Sequence, residues 1–425
     1  MRERLKSLLL AALLLLSVGL FYISLTLGAG GALLPEGLLD KWTDPEGPVS
    51  TGEGSGTFTA AARPEKLCLL TENGLYQAFA AEEYESLWRE VQPFYEEGLG
   101  SGGAPVSMTD AAFADALRAP AVLLTYEAAL PFFLLRAWSD APDEDSVLTV
   151  RSVVLCAGAE GVGLLFRDGD GLCWRMDTAA SAARLTELCA GGQTENAVLA
   201  GRALSAGLML PEEPLLRGWV ELPELTLSPV AAAEGGELPR SVLSAFALNP
   251  YLANVYQNAE GGTVYVEGRS TLLVSRSGDL VYSAAEGGVS VELRPGEDDD
   301  ARAARVCELV SALLTGVWSD LSADGTLCLD RIDYDAGSGV CTLRYELERG
   351  GRFLDLQDRC WAQAVVKNGV LTDLTLCPRR VTEGEMATLI PMTQAAAAVA
   401  GPAARMSVRW LMEGGALRPA LCEVE

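Results

Sequence analysis

Apolar residues run without a charge from Leu8 to Leu27. Those twenty residues, at about 1.5 Å rise each, reach about 30 Å, the thickness of a bilayer's hydrocarbon core. Arg2, Arg4 and Lys6 precede the run, and the first acidic residue beyond it is Glu36. Positive charge before the span and none just after it predicts a cytoplasmic segment 1–7 and a transmembrane helix 8–27. A cleaved signal peptide is the competing reading, because Gly28-Ala29-Gly30 offers small residues. Signal-peptide apolar regions are usually shorter, about 7–15 residues. No Cys follows closely, which speaks against a lipid-anchored form.

Past the span the pattern changes to short periodic segments. Residues 28–64 are rich in Gly, Pro, Ser and Thr, with Gly52-x-Gly54-x-Gly56 inside. That composition predicts a flexible stalk. Lys66–Leu70 predicts a strand. Ala81–Tyr95 predicts a helix, with Tyr84, Leu87, Trp88 and Val91 at helical spacing. Asp110–Leu117 predicts a second helix capped by Thr109 or Asp110. Ala121–Tyr126, Phe132–Trp138, Val147–Leu155, Gly161–Phe166 and Gly171–Met176 predict strands. Asp168-Gly169-Asp170-Gly171 is the hairpin turn between the last two. Residues 178–190 fit a helix, and Gly207–Val230 has room for one more strand.

Ala231–Glu237 is small and flexible in composition. It predicts a boundary between an N-terminal domain, 65–230, and a C-terminal domain, 238–425. In the second, Arg240–Phe246 fits a short helix. Gly262–Val266, Thr271–Ser275, Leu280–Tyr282 and Val289–Arg294 form a strand meander. Asp298-Asp299-Asp300 predicts the cap and first turn of a helix reaching about Ser319. Strands follow at Thr326–Tyr334, Val340–Glu348, Cys360–Val366 and Leu371–Leu376, with a hairpin at Asn368-Gly369. Glu383–Ala400 fits a helix broken or started at Pro391. Arg405–Met412 and Ala416–Glu423 close the chain as a hairpin over Gly414-Gly415. The expected fold class is α+β: two extracytoplasmic domains of antiparallel sheets with helices packed on one face, behind the transmembrane helix.

Composition narrows the chemistry. Lys and Arg number 32 against 58 Asp and Glu, a net charge of −26. A chain this acidic lacks the basic face that nucleic acid or anionic lipid requires. Histidine is absent, which removes Ser-His-Asp and Cys-His catalysis, histidine zinc sites and histidine pH sensing together. Lysine occurs only at Lys6, Lys41, Lys66 and Lys367. The ten cysteines have no C-x-x-C pair. Most sit in apolar patterns such as Leu67-Cys68-Leu69-Leu70, which favours buried thiols over disulfides, with disulfides left open.

Each candidate site has a plainer explanation. A calcium loop at Asp168–Gly171 lacks the Glu that closes such a loop. Asp298–Asp300 could face a metal but suits a helix start better. Gly52-x-Gly54-x-Gly56 has neither the preceding strand nor the Gly-Lys-Ser/Thr of a phosphate loop. Asp330, Asp333 and Asp335 fit a solvated strand edge, and Glu346 and Glu348 fit the exposed face of a strand. Arg379-Arg380 is a candidate contact for an acidic partner. Ser24 and Gly28 form one small-x-x-x-small pair in the span, a weak signal for a helix partner. No residue stands out as catalytic, cofactor-binding or metal-ligating.

Three stretches together carry a family likeness. The first is the basic start and single span, Arg2 to Leu27, followed by a stalk. The second runs from Pro64 to Trp138, with Tyr84-x-x-x-Trp88, Val122-Leu-Leu-Thr-Tyr126 and Pro131-Phe-Phe-Leu-Leu135. The third is the ending, Gln394–Ala400 followed by Met406-x-Val408-x-Trp410 and Leu417-Arg-Pro419. This layout resembles the YycH/YycI-type accessory regulators of a cell-wall two-component system, and its ending is similar to the YycI and PepSY-like repeat. The resemblance implies a non-enzymatic, single-pass membrane protein without a cofactor. Its implied partners are a sensor histidine kinase and, as a further candidate, a second single-span regulator. An anchored envelope protein that binds wall polymer or peptide is the alternative.

Overall fold

Lys66–Thr71 is buried at every position, not at alternate ones. Val162–Arg167 behaves the same way. Strands that are apolar on both sides need cover on both faces. By contrast Leu280–Ala284 alternates buried and exposed residues, as a strand with one open face does. These two patterns belong to two different sheets.

The structure is a computed structural model. It describes residues 63–424 apart from short segments at 119, 140–147, 159–160, 191–192, 205–208, 231–237, 286–287, 292–297, 358 and 399–404. The expected span, nearly all of the stalk and the boundary at Ala231–Glu237 lie outside the described residues. Among the described residues no helix is long and apolar enough to cross a membrane.

Nine strands make the first sheet among the described residues: β1 (Lys66–Thr71), β2 (Gly74–Gln77), β3 (Val106–Met108), β4 (Ala121–Pro131), β5 (Thr149–Ala157), β6 (Val162–Arg167), β7 (Cys173–Asp177), β8 (Ala197–Leu199) and β9 (Pro214–Leu216). Their order is β3-β7-β6-β5-β4-β1-β2-β8-β9, with antiparallel neighbours. Helix α1 (Ala81–Ser101) and helix α4 (Ala182–Cys189) pack on it. Tyr84, Leu87, Trp88 and Val91 are all buried along α1, as their spacing predicts. Helix α2 (Asp110–Ala116) starts at Thr109, whose hydroxyl accepts from the Ala112 amide. Burial of the central strands on consecutive residues means that this sheet is covered on both faces, unlike the one-sided packing expected.

The second sheet holds β10 (Val220–Pro229), β11 (Asn254–Gln257), β12 (Thr263–Glu267), β13 (Ser270–Val274), β14 (Leu280–Ala284), β15 (Thr326–Asp335), β16 (Val340–Glu348), β17 (Phe353–Asp355), β18 (Ala362–Lys367), β19 (Val370–Leu376), β20 (Arg379–Leu389), β21 (Arg405–Glu413) and β22 (Ala416–Val424). Its order is β11-β12-β13-β14-β19-β18-β16-β17-β21-β22-β10-β20, with β15 on β16. All described pairs are antiparallel except β17 with β21. The chain passes from one sheet to the other between Leu216 and Val220, ahead of Ala231. The result is mixed α+β with two antiparallel sheets.

Two short helices, α5 (Ala200–Ala203) and α6 (Arg240–Ala245), precede α7 (Asp299–Asp320), which packs against β15 and β16. The Asp298 carboxylate accepts from the Ala301 amide at 2.8 Å, so the acidic run is a helix cap. Val306, Val310, Leu314, Val317 and Trp318 face inward, and Trp318 meets the fully buried Trp361 edge-on. Asn368 and Gly369 both take positive φ, 49° and 73°, as a two-residue hairpin turn requires.

Two elements correct the sequence reading. Phe132–Trp138 is a helix, α3, not a strand. Pro131 sits at its N-cap and ends β4, and Phe132, Leu134 and Leu135 turn inward. Arg379–Leu389 is strand β20, not the start of a helix. Nine registered pairs with β10 hold it extended, overriding the local preference of Glu383, Glu385 and Met386. The C-terminal helix, α8 (Met392–Ala396), starts after Pro391. Gly207–Val230 supplies two strands, β9 and β10, where one was expected.

Candidate functional site

The charged residues of interest meet where the two sheets meet. On β21, Arg405, Ser407 and Arg409 alternate, so they share one face of the strand. Opposite them stand Glu65 just before β1, Lys66 at its start, Glu127 on β4 and Glu213 just before β9. Glu127 falls in the stretch of β4 where pairing with β5 breaks, between Thr125 and Leu130. That irregularity frees its side chain from the ladder face.

Arg405 is the hub. One Nη2 lies 3.1 Å from Glu65 Oε2 and donates to the Tyr126 carbonyl at 3.0 Å. Nη1 donates to the Glu127 carbonyl at 3.2 Å, and Nε faces Glu213 Oε2 at 3.6 Å. Lys66 Nζ pairs with Glu213 and donates to the Met406 carbonyl. The Ser407 hydroxyl donates to Glu65, and Arg409 pairs with Glu127. Glu65, Lys66, Glu213 and Arg405 are all buried. Three carboxylates thus face three cations, which is how a seam can hold charge away from water.

The electrostatics follow that balance. Burial raises the Glu65 pKa, but Lys66, Arg405 and Arg409 outweigh it, so the carboxyl titrates below its usual range. Glu127 goes the other way, up to about 7, because burial and then the nearby Glu65 exceed the pull of Arg409 and Arg405. Glu346 reaches about 9, through burial first and then the neighbouring Asp330, Asp355 and Glu127. Asp330 is also raised by burial.

A second set of contacts lies beside the first. Arg63 Nε sits 3.1 Å from Glu348 Oε2, and Glu348 is 2% exposed. Arg352 stacks over the Phe79 ring at 3.6 Å and donates to the Phe79 carbonyl. Gly350 and Gly351, both at positive φ, turn tightly against Ala81 and Tyr84 of α1. A small cleft, open to solvent, adjoins both sets and is lined by Glu65, Lys66, Gln77, Arg352 and Ser407 among others. The Gln77 side-chain oxygen Oε1 is buried there without a protein partner, a position that suits an ordered water.

The sequence candidates fall as follows. Glu346 and Glu348 are not on an exposed face; Glu348 is sealed against Arg63 and Glu346 is half-buried. Arg379 is buried and paired with Asp279, while Arg380 is exposed. Asp168 closes its own turn: Oδ1 accepts from the Asp170 and Leu172 amides at 3.0 and 2.7 Å, and Oδ2 from the Trp174 indole at 3.1 Å. Asp333 and Asp335 are exposed. Among the described residues no group of three or more His, Cys, Asp or Glu could hold a metal ion. All ten cysteines are free thiols, seven of them buried. The seam residues were missed, although Arg405-x-Ser407-x-Arg409 on an otherwise apolar strand is a signal of a polar face turned inward.

No protein-family model matches the chain, and no curated protein matches it. One solved structure does: the crystal structure of YycH from Bacillus subtilis, with a TM-score of 0.56 over 87% of this chain and 95% of that one, at 11% identity. The chain has the YycH-type fold. At 11% identity the likeness concerns architecture, and no residue of the YycH structure is matched to Arg405 or Glu65 here.

Proposed function

We propose that this chain is a membrane-anchored extracytoplasmic regulatory protein, not an enzyme. It modulates a sensor histidine kinase of a two-component system governing cell-wall metabolism, through its span and its ectodomain. The YycH-type fold across 87% of the chain carries the reading. The uncharged run from Leu8 to Leu27 supports it by supplying a single-pass anchor with the N-terminus in the cytoplasm. The engagement of Arg405, Arg409, Lys66 and their carboxylates with one another supports it too, since their charges serve the joint between sheets. One second reading is an anchored binding protein for wall polymer or peptide, with the small open cleft beside Glu65 and Arg352 as its candidate contact.

In-cell crosslinking from the span and the ectodomain, followed by mass spectrometry, separates the two. The regulatory reading expects a sensor kinase or a second single-span regulator among the products. Recovery of wall-synthesis or hydrolase proteins without any kinase would overturn it in favour of the second reading.

A further inference from the structure

Among the described residues the second sheet stops at β11, and no strand pairs with its outer edge. Asn254, Val255, Tyr256 and Gln257 are all exposed. They pair with β12 on one side. Among the described residues no further hydrogen bond to their backbone occurs on the other. Val255 is 58% and Tyr256 54% exposed, and Tyr251 and Leu252 just before them are exposed as well. Arg240 lies over the Tyr251 ring at 5.0 Å and donates to its hydroxyl at 2.9 Å, which holds that ring in place.

The opposite end of the same sheet is built differently. β20 displays Arg380, Glu383 and Glu385. Charges of that kind deter strand-to-strand addition, and so do Lys and Pro. β11 carries no charge and no Pro. An uncharged edge with free backbone groups is complementary to one thing above all, another extended chain. Val255 and Tyr256 point to opposite faces of the sheet, so an added strand would meet apolar side chains above and below.

The overall charge decides what kind of chain. Two copies at −26 each repel at long range. A segment with basic residues is attracted by the same field. We infer that β11 is the docking edge for an extended, basic-flanked segment of a different protein, added as a further strand beside Asn254–Gln257. The inference supplies a contact surface for the regulatory reading and rests on that reading for the partner's class.

The test places a photoreactive phenylalanine analogue at position 256 of the full chain in its own membrane, with mass spectrometry of the crosslinked peptides. The expected product is a Lys- or Arg-containing peptide of another envelope protein, with yield falling at least ten-fold on Val255→Lys. The same analogue at position 382, on the charged β20 edge, is expected to capture none of it. Amide exchange at 254–257 is expected to be at least ten-fold slower in the membrane than in the purified full chain. Crosslinks only to a second copy, equal capture from position 382, insensitivity to Val255→Lys, or equal exchange rates would each overturn the inference. Kinase captured elsewhere on the chain with nothing at 256 overturns this inference alone. A strand captured at 256 from a protein outside any kinase system supports the docking edge and counts against the regulatory reading.

Discussion

Arg405 Nη2 lies 3.1 Å from Glu65 Oε2, and the two side chains are only 2% and 3% exposed. They are 340 residues apart in the chain. The pair ties the last hairpin of the second sheet to the first strand of the first. Removing one partner leaves the other charge buried and unmatched, a loss of about 3–5 kcal/mol in comparable pairs. Arg405→Ala is therefore expected to destabilise the fold by about that amount in urea denaturation. A change under about 1 kcal/mol would show that the seam does not depend on this residue.

The raised carboxyls set a pH dependence with a definite sign. A Glu whose folded pKa exceeds its unfolded value contributes stability below about pH 4.5, and that contribution fades as pH rises. For Glu127 the loss runs from about 4.5 to about 7, and for Glu346 up to about 9. Glu65, held low by Lys66 and Arg405, does the opposite and loses its contribution only in more acid solution. The denaturation midpoint is expected to fall between pH 5 and pH 9. Glu346→Gln should flatten that fall. A midpoint that rises toward pH 9 would contradict the assignment.

Gly351 has φ 78°, and a Cβ built there would stand 2.7 Å from the Tyr84 ring. Gly351→Ala combines left-handed strain of about 1–2 kcal/mol with that collision. A loss of at least about 1–2 kcal/mol is expected by thermal or chemical denaturation. Gly414→Ala makes the control, because its φ is also positive but nothing lies within 4 Å. Equal losses in the two variants would show that the contact with α1 adds nothing.

Thiol chemistry offers a map of burial. Cys156, Cys360 and Cys422 are half-buried, and the other seven cysteines are buried. Burial raises the thiol pKa of Cys307 and Cys341 to about 12, which keeps them protonated and slow to react. Brief alkylation of the native chain is expected to label the three half-buried sites first. The seven buried sites should label only under denaturing conditions. Early labelling of Cys68 or Cys307 would contradict the packing described.

Local signals made much of the fold legible. Asp298 announced α7, Asn368-Gly369 announced a hairpin, and Gly414-Gly415 announced the closing one. Where distant pairing decides, local signals fail. Arg379–Leu389 has helix-forming residues, but nine partners on β10 make it a strand. Phe132–Trp138 has strand-forming residues, but Pro131 and the burial of Phe132 and Leu135 make it a helix. The short edge strand β11 has no alternation to detect, because all of its residues are exposed. The seam was the hardest to see. Glu348 reads as an outward residue until Arg63 is placed against it, and nothing near Glu65 in sequence points to Arg405. The unbroken apolar run Leu67–Leu70 is a signal of two covered faces, which the expectation of helices on one face overlooked.

The most direct test of the regulatory account is phosphorylation of the wall-controlling sensor kinase in native membranes, measured with the full chain present and with it removed. The account predicts a change in the phosphorylation rate on removal, restored by the full chain and lost again when Leu8–Leu27 is exchanged for an unrelated apolar span. An identical rate in the presence and absence of the chain would contradict it.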